Sequence, residues 1–181
     1  DSNHAFNIAP NLLDQNFSAT GPNQKWAGDI SYIWTSEGWL YLAVILDLYS
    51  RRVIGWAVRN RMKRDLVIRA LNNAVALRQP PTGCIHHTDR GSQYCSNDYQ
   101  KLLTKHGFEV SMSGKGNCYD NSIVETFFKS IKAEMIWRNR WETRRQAEGA
   151  IFQYINGFYN PRRRHSSLGG KSPLAFERRA A

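Results

Sequence analysis

Hydrophobic and polar positions along this chain change period several times, and each change marks an element. Residues 1–23 carry Pro10, Gly21 and Pro22 and keep no period, so they read as an extended leader. Lys25 to Trp34 is rich in aromatic and β-branched residues, and Trp39 to Asp47 opens with an unbroken apolar run to Leu46. Arg52 to Arg59 follows the break Asp47-Leu48-Tyr49-Ser50. Three strands with short connections predict an antiparallel meander. If the turn at Glu37-Gly38 sets a simple hairpin, residue 46 stands opposite Asp29, and Asp47 points to the other face.

The period then lengthens. Leu66, Ala70, Leu71, Ala74 and Leu77 repeat at helical spacing, and Pro80-Pro81 closes that helix. Cys84 to His87 reads as a short strand, Ser96 to His106 as a helix with Ser96 as N-cap, and Phe108 to Met112 as a strand. The glycine-containing segment Ser113-Gly114-Lys115-Gly116-Asn117 predicts a mobile loop before a helix from Tyr119 to Trp137. A last helix, Glu142 to Tyr159, stops before Pro161. On the helix from Tyr119, Val124, Phe127, Phe128, Ile131 and Met135 form an apolar stripe. Asn121, Glu125, Lys129 and Lys132 form a second stripe, centred roughly 100° away.

Composition bounds the class. At 181 residues, 41% apolar, with 6 Trp, 8 Tyr and 8 Phe, the chain suits one domain with a real core. The longest apolar run, Trp39 to Leu46, is 8 residues and too short to span a bilayer, and no signal peptide is visible. Cys84, Cys95 and Cys118 lack Cys-x-x-Cys spacing, which indicates neither a disulfide framework nor a zinc site. Net charge is +10, and the stretch from Trp137 to Ala181 supplies +7 of it through ten Lys or Arg against three Glu. A solvated basic surface and an electrostatic footprint for nucleic acid both follow from such a balance; its concentration in one stretch favours the second.

Three acids carry the candidate chemistry. Asp29 lies in WAGDISYI, Asp89 in HHTDRGS and Glu125 in DNSIVETFF, with 35 residues between the last two. Hard divalent cations need carboxylate oxygens gathered from separate elements, which these three supply. Asp47 is a decoy that a one-residue register slip would bring into the site. His86 and His87 are nitrogen donors poorly matched to Mg²⁺ and read as hydrogen-bonding core or rim residues. Asp120 suits the positive end of a helix dipole.

Those contexts, in that order, resemble the integrase catalytic core of the DDE transposases. The carriers are GDISYI, LDLYSRRVIGW, HHTDRGSQY and DNSIVETFFKSIKAE, and the tail YNPRRRHSSLGGKSPLAF narrows the likeness to OrfB-type transposases of bacterial insertion sequences encoded in two overlapping frames. The resemblance runs from Ala9 to Phe176. The element order is also that of the ribonuclease H-like fold, an α/β mixed five-stranded sheet flanked by helices. The domain layout it implies is an extended leader or linker at 1–23, an integrase-type core at 24–160 and a basic tail at 161–181 that packs on the core or extends from it.

The resemblance implies that Asp29, Asp89 and Glu125 hold two Mg²⁺ ions, with Mn²⁺ as substitute, for DNA strand cleavage and strand transfer during transposition. It places Lys129 and Lys132 near the scissile phosphate; Asn121, one turn before Glu125, is placed to orient it or touch DNA, and Arg162, Arg163 and Arg164 read as either a solvated charge run or, the favoured reading, phosphate-backbone contacts. It further implies double-stranded DNA at element ends and target, a homo-oligomer holding two ends, no membrane, and a bacterial, cytoplasmic, nucleoid-associated setting. A nuclease that only hydrolyses would use the same acids, and a regulatory DNA-binding module would need none of them. The chain opens at Asp1 without Met and shows no helix-turn-helix before Asp29, so recognition of element ends is expected in a segment outside it.

Overall fold

A computed structural model describes residues 7–114 and 121–180. Five strands form one sheet in the order β3-β2-β1-β4-β5. β1 (Lys25–Thr35), β2 (Gly38–Asp47) and β3 (Val53–Arg59) run antiparallel, while β4 (Ile85–Thr88) and β5 (Glu109–Met112) add parallel strands beside β1. Both faces of the sheet are covered, which is why β2 reads as a continuous apolar run rather than an alternation. Leu40, Leu42, Val44 and Leu46 join one core with Val124, Phe127, Ile131, Ile151 and Ile155. Ala43 and Ile45 join the other, with Leu66, Ala70, Ala74, Tyr99 and Leu103.

The hairpin register differs from the sequence expectation by two residues. Asp29 pairs with Val44 rather than residue 46, because the turn is at Ser36–Glu37 and Gly38, at φ +115°, already pairs with Thr35. The Thr35 hydroxyl closes this turn by donating to the Gly38 carbonyl at 2.7 Å and accepting from the Glu37 amide at 3.2 Å. A shift of two keeps every side chain on its face, so Asp47 still points away from Asp29.

Helix α1 (Arg64–Arg78) lies directly on β3 at Gly55, where a Cβ would stand 2.4 Å from the Ala70 carbonyl oxygen and 2.7 Å from the Ala74 Cβ. It ends at Gln79, left-handed at φ 44°, ahead of Pro80. A short helix absent from the sequence reading, α2 (Ser92–Cys95), precedes α3 (Asn97–Lys105), whose N-cap Ser96 accepts from the Tyr99 amide. α4 (Ser122–Glu134) is shorter than the expected helix: Met135 leaves helical geometry and a 3₁₀ turn at Ile136–Arg138 follows. α5 (Arg144–Phe152) continues as a π-helical stretch, Gln153–Tyr159. Of the mobile loop expected from the glycines, Lys115, Gly116 and Asn117 lie outside the described residues, as do Cys118 and Asp120.

Neither end of the chain hangs free over its described part. In the leader, Leu13 is buried in the core, the Met112 amide donates to the Pro10 carbonyl at 3.1 Å, and the Leu12 amide donates to the Ser111 hydroxyl at 2.8 Å. The tail forms a 3₁₀ turn at Ser166–Leu168 and a helix, α6 (Pro173–Ala180), that no period in the sequence announced. Glu177 on α6 accepts from Arg78 at 2.9 and 2.6 Å, from Arg52 at 2.9 Å and from Ser50 at 2.9 Å. Arg78 also reaches Asp47 at 2.6 Å and the Asn23 side chain at 2.9 Å. Burial alone would raise the pKa of Glu177, and the bonds from Arg78 and Arg52 outweigh it, so this carboxyl lies below its ordinary range.

Candidate active site

Asp29 and Asp89 come from neighbouring parallel strands. The β1–β4 ladder pairs Trp26 with His86 and Ala27 with His87, and the same register carried two residues further sets Asp89 beside Asp29. Asp89 follows the end of β4, the position where open α/β sheets bind ligands. Its Oδ1 accepts from the Gly91 amide at 2.7 Å, and a Cβ on Gly91 would stand only 2.9 Å from that oxygen. Asp29 Oδ1 accepts from the Ile30 amide at 2.8 Å. Glu125 is on the first turn of α4, exposed, over the same side of the sheet as Asp29.

Electrostatics join the three. Burial first, then the negative charge of Asp89 and, less, that of Glu125 raise the Asp29 carboxyl from its usual 3.8 to about 7, against the opposing Ile30 amide. Among the described residues no three His, Cys, Asp or Glu side chains are gathered tightly enough to hold an ion, and Glu125 is exposed. The donor set is nevertheless all oxygen and strongly anionic, which fits a hard divalent cation.

Asn121, expected on the DNA-facing stripe, is buried instead. Its amide donates to the Gly28 carbonyl at 3.0 Å, one residue before Asp29, while its Oδ1 is buried without a partner. Of the two roles open to it, this placement favours orienting the acids. Lys129 is exposed one turn after Glu125, and Lys132 is half-buried with its ammonium 5.6 Å from the Tyr32 ring centroid. In the arginine run, Arg162 and Arg164 are exposed, whereas Arg163 is held by Glu134 at 2.8 and 2.9 Å.

Asp47 stays out of the site because its face of the sheet leads to Arg78. His86 is fully buried against the Tyr99 hydroxyl, and burial and the neighbouring His87 push its pKa down to about 3. His87 meets the Ser111 hydroxyl at 2.7 Å. Both are core groups.

Sequence reasoning passed over Tyr94. It is buried on α2, and its phenol is pushed well up by burial and then by Asp29, Tyr99 and Asp89. Its hydroxyl thus lies within the field of both aspartates. The only sequence signal is an aromatic five residues after Asp89, which looks like any core residue.

A ribonuclease H-like sheet that carries Asp29 within β1, Asp89 just past the end of β4 and Glu125 on a helix over one face has the architecture of integrase-type cores. The chain belongs to the integrase core domain family: two family descriptions, both integrase core domain, match residues 19–118 and 125–180. It is 52% identical over 174 residues to the transposase InsF for insertion sequence IS3A of Escherichia coli strain K12, covering 96% of this chain and 60% of that protein. It is 48% identical over 176 residues to an uncharacterized 31 kDa protein of insertion element IS600 from Shigella sonnei, covering 97% and 65%. The chain thus spans about three-fifths of the length of these curated relatives.

Among solved structures it is similar to a simian T-cell lymphotropic virus intasome in complex with PP2A regulatory subunit B56 gamma. That match has a TM-score of 0.72 and 18% identity, over 97% of this chain and 60% of that one. A second is the HTLV-2 integrase catalytic core domain in complex with magnesium, with a TM-score of 0.67 and 19% identity over 88% and 99%. At such identities these two speak for the fold. Among the described residues no helix is long and apolar enough to cross a membrane.

Proposed function

We propose that this chain is the catalytic core of an insertion-sequence transposase and that Asp29, Asp89 and Glu125 are its catalytic acids. The observation that carries the reading is the parallel β1–β4 register, which sets Asp89 beside Asp29 on the face of the sheet that α4 covers. Bound there, two Mg²⁺ ions, with Mn²⁺ as substitute, would lower the pKa of an attacking water or DNA 3′-hydroxyl and stabilise the departing oxygen. Asp29 and Asp89 would both hold them, and a rotamer change at Glu125 on the exposed edge of α4 would complete the oxygen set.

The remaining residues position DNA. Asn121 holds the start of α4, the turn that carries Glu125, against β1. Lys129 and Lys132 continue the edge of the helix from Glu125 and would meet phosphates next to the scissile bond. Arg162 and Arg164 are free to contact phosphates further away, while Arg163 chiefly braces the tail through Glu134. Double-stranded element ends and target are the substrates this implies, a homo-oligomer bringing two ends together is the assembly, and the bacterial nucleoid is the setting.

Labelled element-end duplexes incubated with Mg²⁺ or Mn²⁺ test this reading. Nicked ends and joined products are expected from the native chain and neither from Asp89→Asn. Nicks without joining would make the chain a nuclease, and joining by Asp89→Asn would remove Asp89 from the site.

A further inference from the structure

On another flank of α4, a groove of about 420 Å³ opens between that helix and the tail. Thr126 and Ser130 line it, and at 100° per residue they lie roughly 100° and 140° round the helix from Glu125. The opposite wall carries Arg51, Arg163, Arg164 and His165.

Arg51 is the unusual member. Its backbone is clamped: its amide donates to the Asp47 carbonyl at 2.8 Å, its carbonyl accepts from the Tyr159 hydroxyl at 2.9 Å, and its φ of 64° is left-handed. Its guanidinium has no such support. Nη1 is buried without a hydrogen-bond partner, and none of the ion pairs among the described residues includes Arg51. Burial lowers its pKa, as expected of a cation lacking a counter-charge.

Nothing nearby makes up the deficit. Glu134 is already engaged by Arg163, Arg164 is exposed, and the His165 Nε2 is also buried without a partner. Buried charges and donors are normally satisfied, so a wall with surplus positive charge and two orphaned nitrogens calls for an anion rich in acceptor oxygens. Guanidinium groups with hydroxyls from Ser166 and Ser167 match a tetrahedral oxyanion better than a carboxylate, which offers only two oxygens.

We propose that this groove is a phosphate subsite that takes one backbone phosphodiester of the bound DNA, held by Arg51 and Arg164 with help from His165 and the two serines. The inference rests on the DNA-processing role proposed above and adds a contact that the arginine run alone did not suggest, because Arg51 comes from the β2–β3 connection. Free inorganic phosphate or sulfate shares the chemistry, and the test separates the two sources.

Duplex binding is followed by fluorescence anisotropy at several salt concentrations without metal, for the native chain, Arg51→Gln, Ser167→Glu and Asp89→Asn. Ser167 is exposed, so Ser167→Glu places a carboxylate in the groove without disturbing the core and decides the matter if Arg51→Gln fails to fold. Loss of one phosphate contact should lower the salt slope by about 0.9 in both groove variants and leave Asp89→Asn unchanged. Unchanged slopes in a folded Ser167→Glu overturn the subsite. A sulfate-induced rise in melting temperature that both variants lose, with DNA slopes intact, overturns the phosphodiester and assigns a free-oxyanion site. Cleavage by Asp89→Asn overturns the catalytic reading alone, since the slopes do not depend on it.

Discussion

The side-chain amide of Asn121 donates to the backbone carbonyl of Gly28 at 3.0 Å, and this one bond ties the start of the helix bearing Glu125 to the strand bearing Asp29. The acids are brought together by elements far apart in the chain, so their spacing depends on such ties. Asn121→Ala should destabilise the domain by about 1–2 kcal/mol, because the buried carbonyl loses its donor. Cleavage should fall further than stability, on the order of 10²-fold, since small misplacements of reacting groups are costly. Urea midpoints read beside single-turnover cleavage rates check this; equal losses in both would mean that the bond only stabilises the fold.

Asp29 makes the metal-free domain pH-sensitive. Its folded pKa is raised from 3.8 to about 7, so its favourable contribution is full below pH 3.8 and is lost as pH rises through about 7. The span corresponds to at most about 4 kcal/mol. In chelator, the melting temperature should be higher at pH 5 than at pH 8, and Asp29→Asn should flatten that difference. Scanning calorimetry across this window measures it, and a native chain more stable at pH 8 would contradict the assignment.

Metal binding at the same site must expel the Asp29 proton. Apparent affinity for Mn²⁺ should therefore fall about tenfold per pH unit below about 7 and level off above it. Isothermal titration in buffers of different ionisation enthalpy would count the released proton. Binding that is flat between pH 5.5 and 8 would place the metal elsewhere.

The two like charges on Asp29 are unequal in effect, with Asp89 ahead of Glu125. Asp89→Asn should lower the Asp29 pKa more than Glu125→Gln does, while both abolish cleavage and leave the fold intact. Carboxyl carbon NMR titrations give the order directly, and a larger drop in Glu125→Gln would show that the helix acid lies closer than the structure has it.

Arg78 is 10% exposed and gathers Asp47 and Glu177, so it fastens α6 to the body of the fold. Arg78→Met takes the ion-pair partner from buried Asp47 and leaves Glu177 only Arg52 and Ser50, and should cost about 3 kcal/mol. Denaturant midpoints would show the loss. A change under 1 kcal/mol would mean that the tail is not docked in solution.

Much of this architecture was legible because its signals are local. Aromatic and β-branched runs marked five strands, the 3.6-residue period marked the main helices, Ser96 and Pro80 marked helix ends, and the contexts of Asp29, Asp89 and Glu125 singled out three acids that the fold sets on one side of the sheet. Even the register error was harmless: a hairpin displaced by two residues keeps each side chain on its face, so Asp47 stayed excluded.

What the chain could not announce depends on distant partners. No local pattern tells that Glu177 will meet Arg78 across 99 residues, so α6 went unseen and whether the tail packs on the core or extends from it stayed open. Asn121 looked like a member of a polar stripe until the approach of β1 buried it. Arg51 and Arg163 are chemically identical, yet one found Glu134 and the other found no carboxylate, and only the packing of the tail against α4 decided which. Residue type sets what a side chain is able to do. Whether its charge is paired, buried or left available is decided by the groups that the folded chain brings beside it.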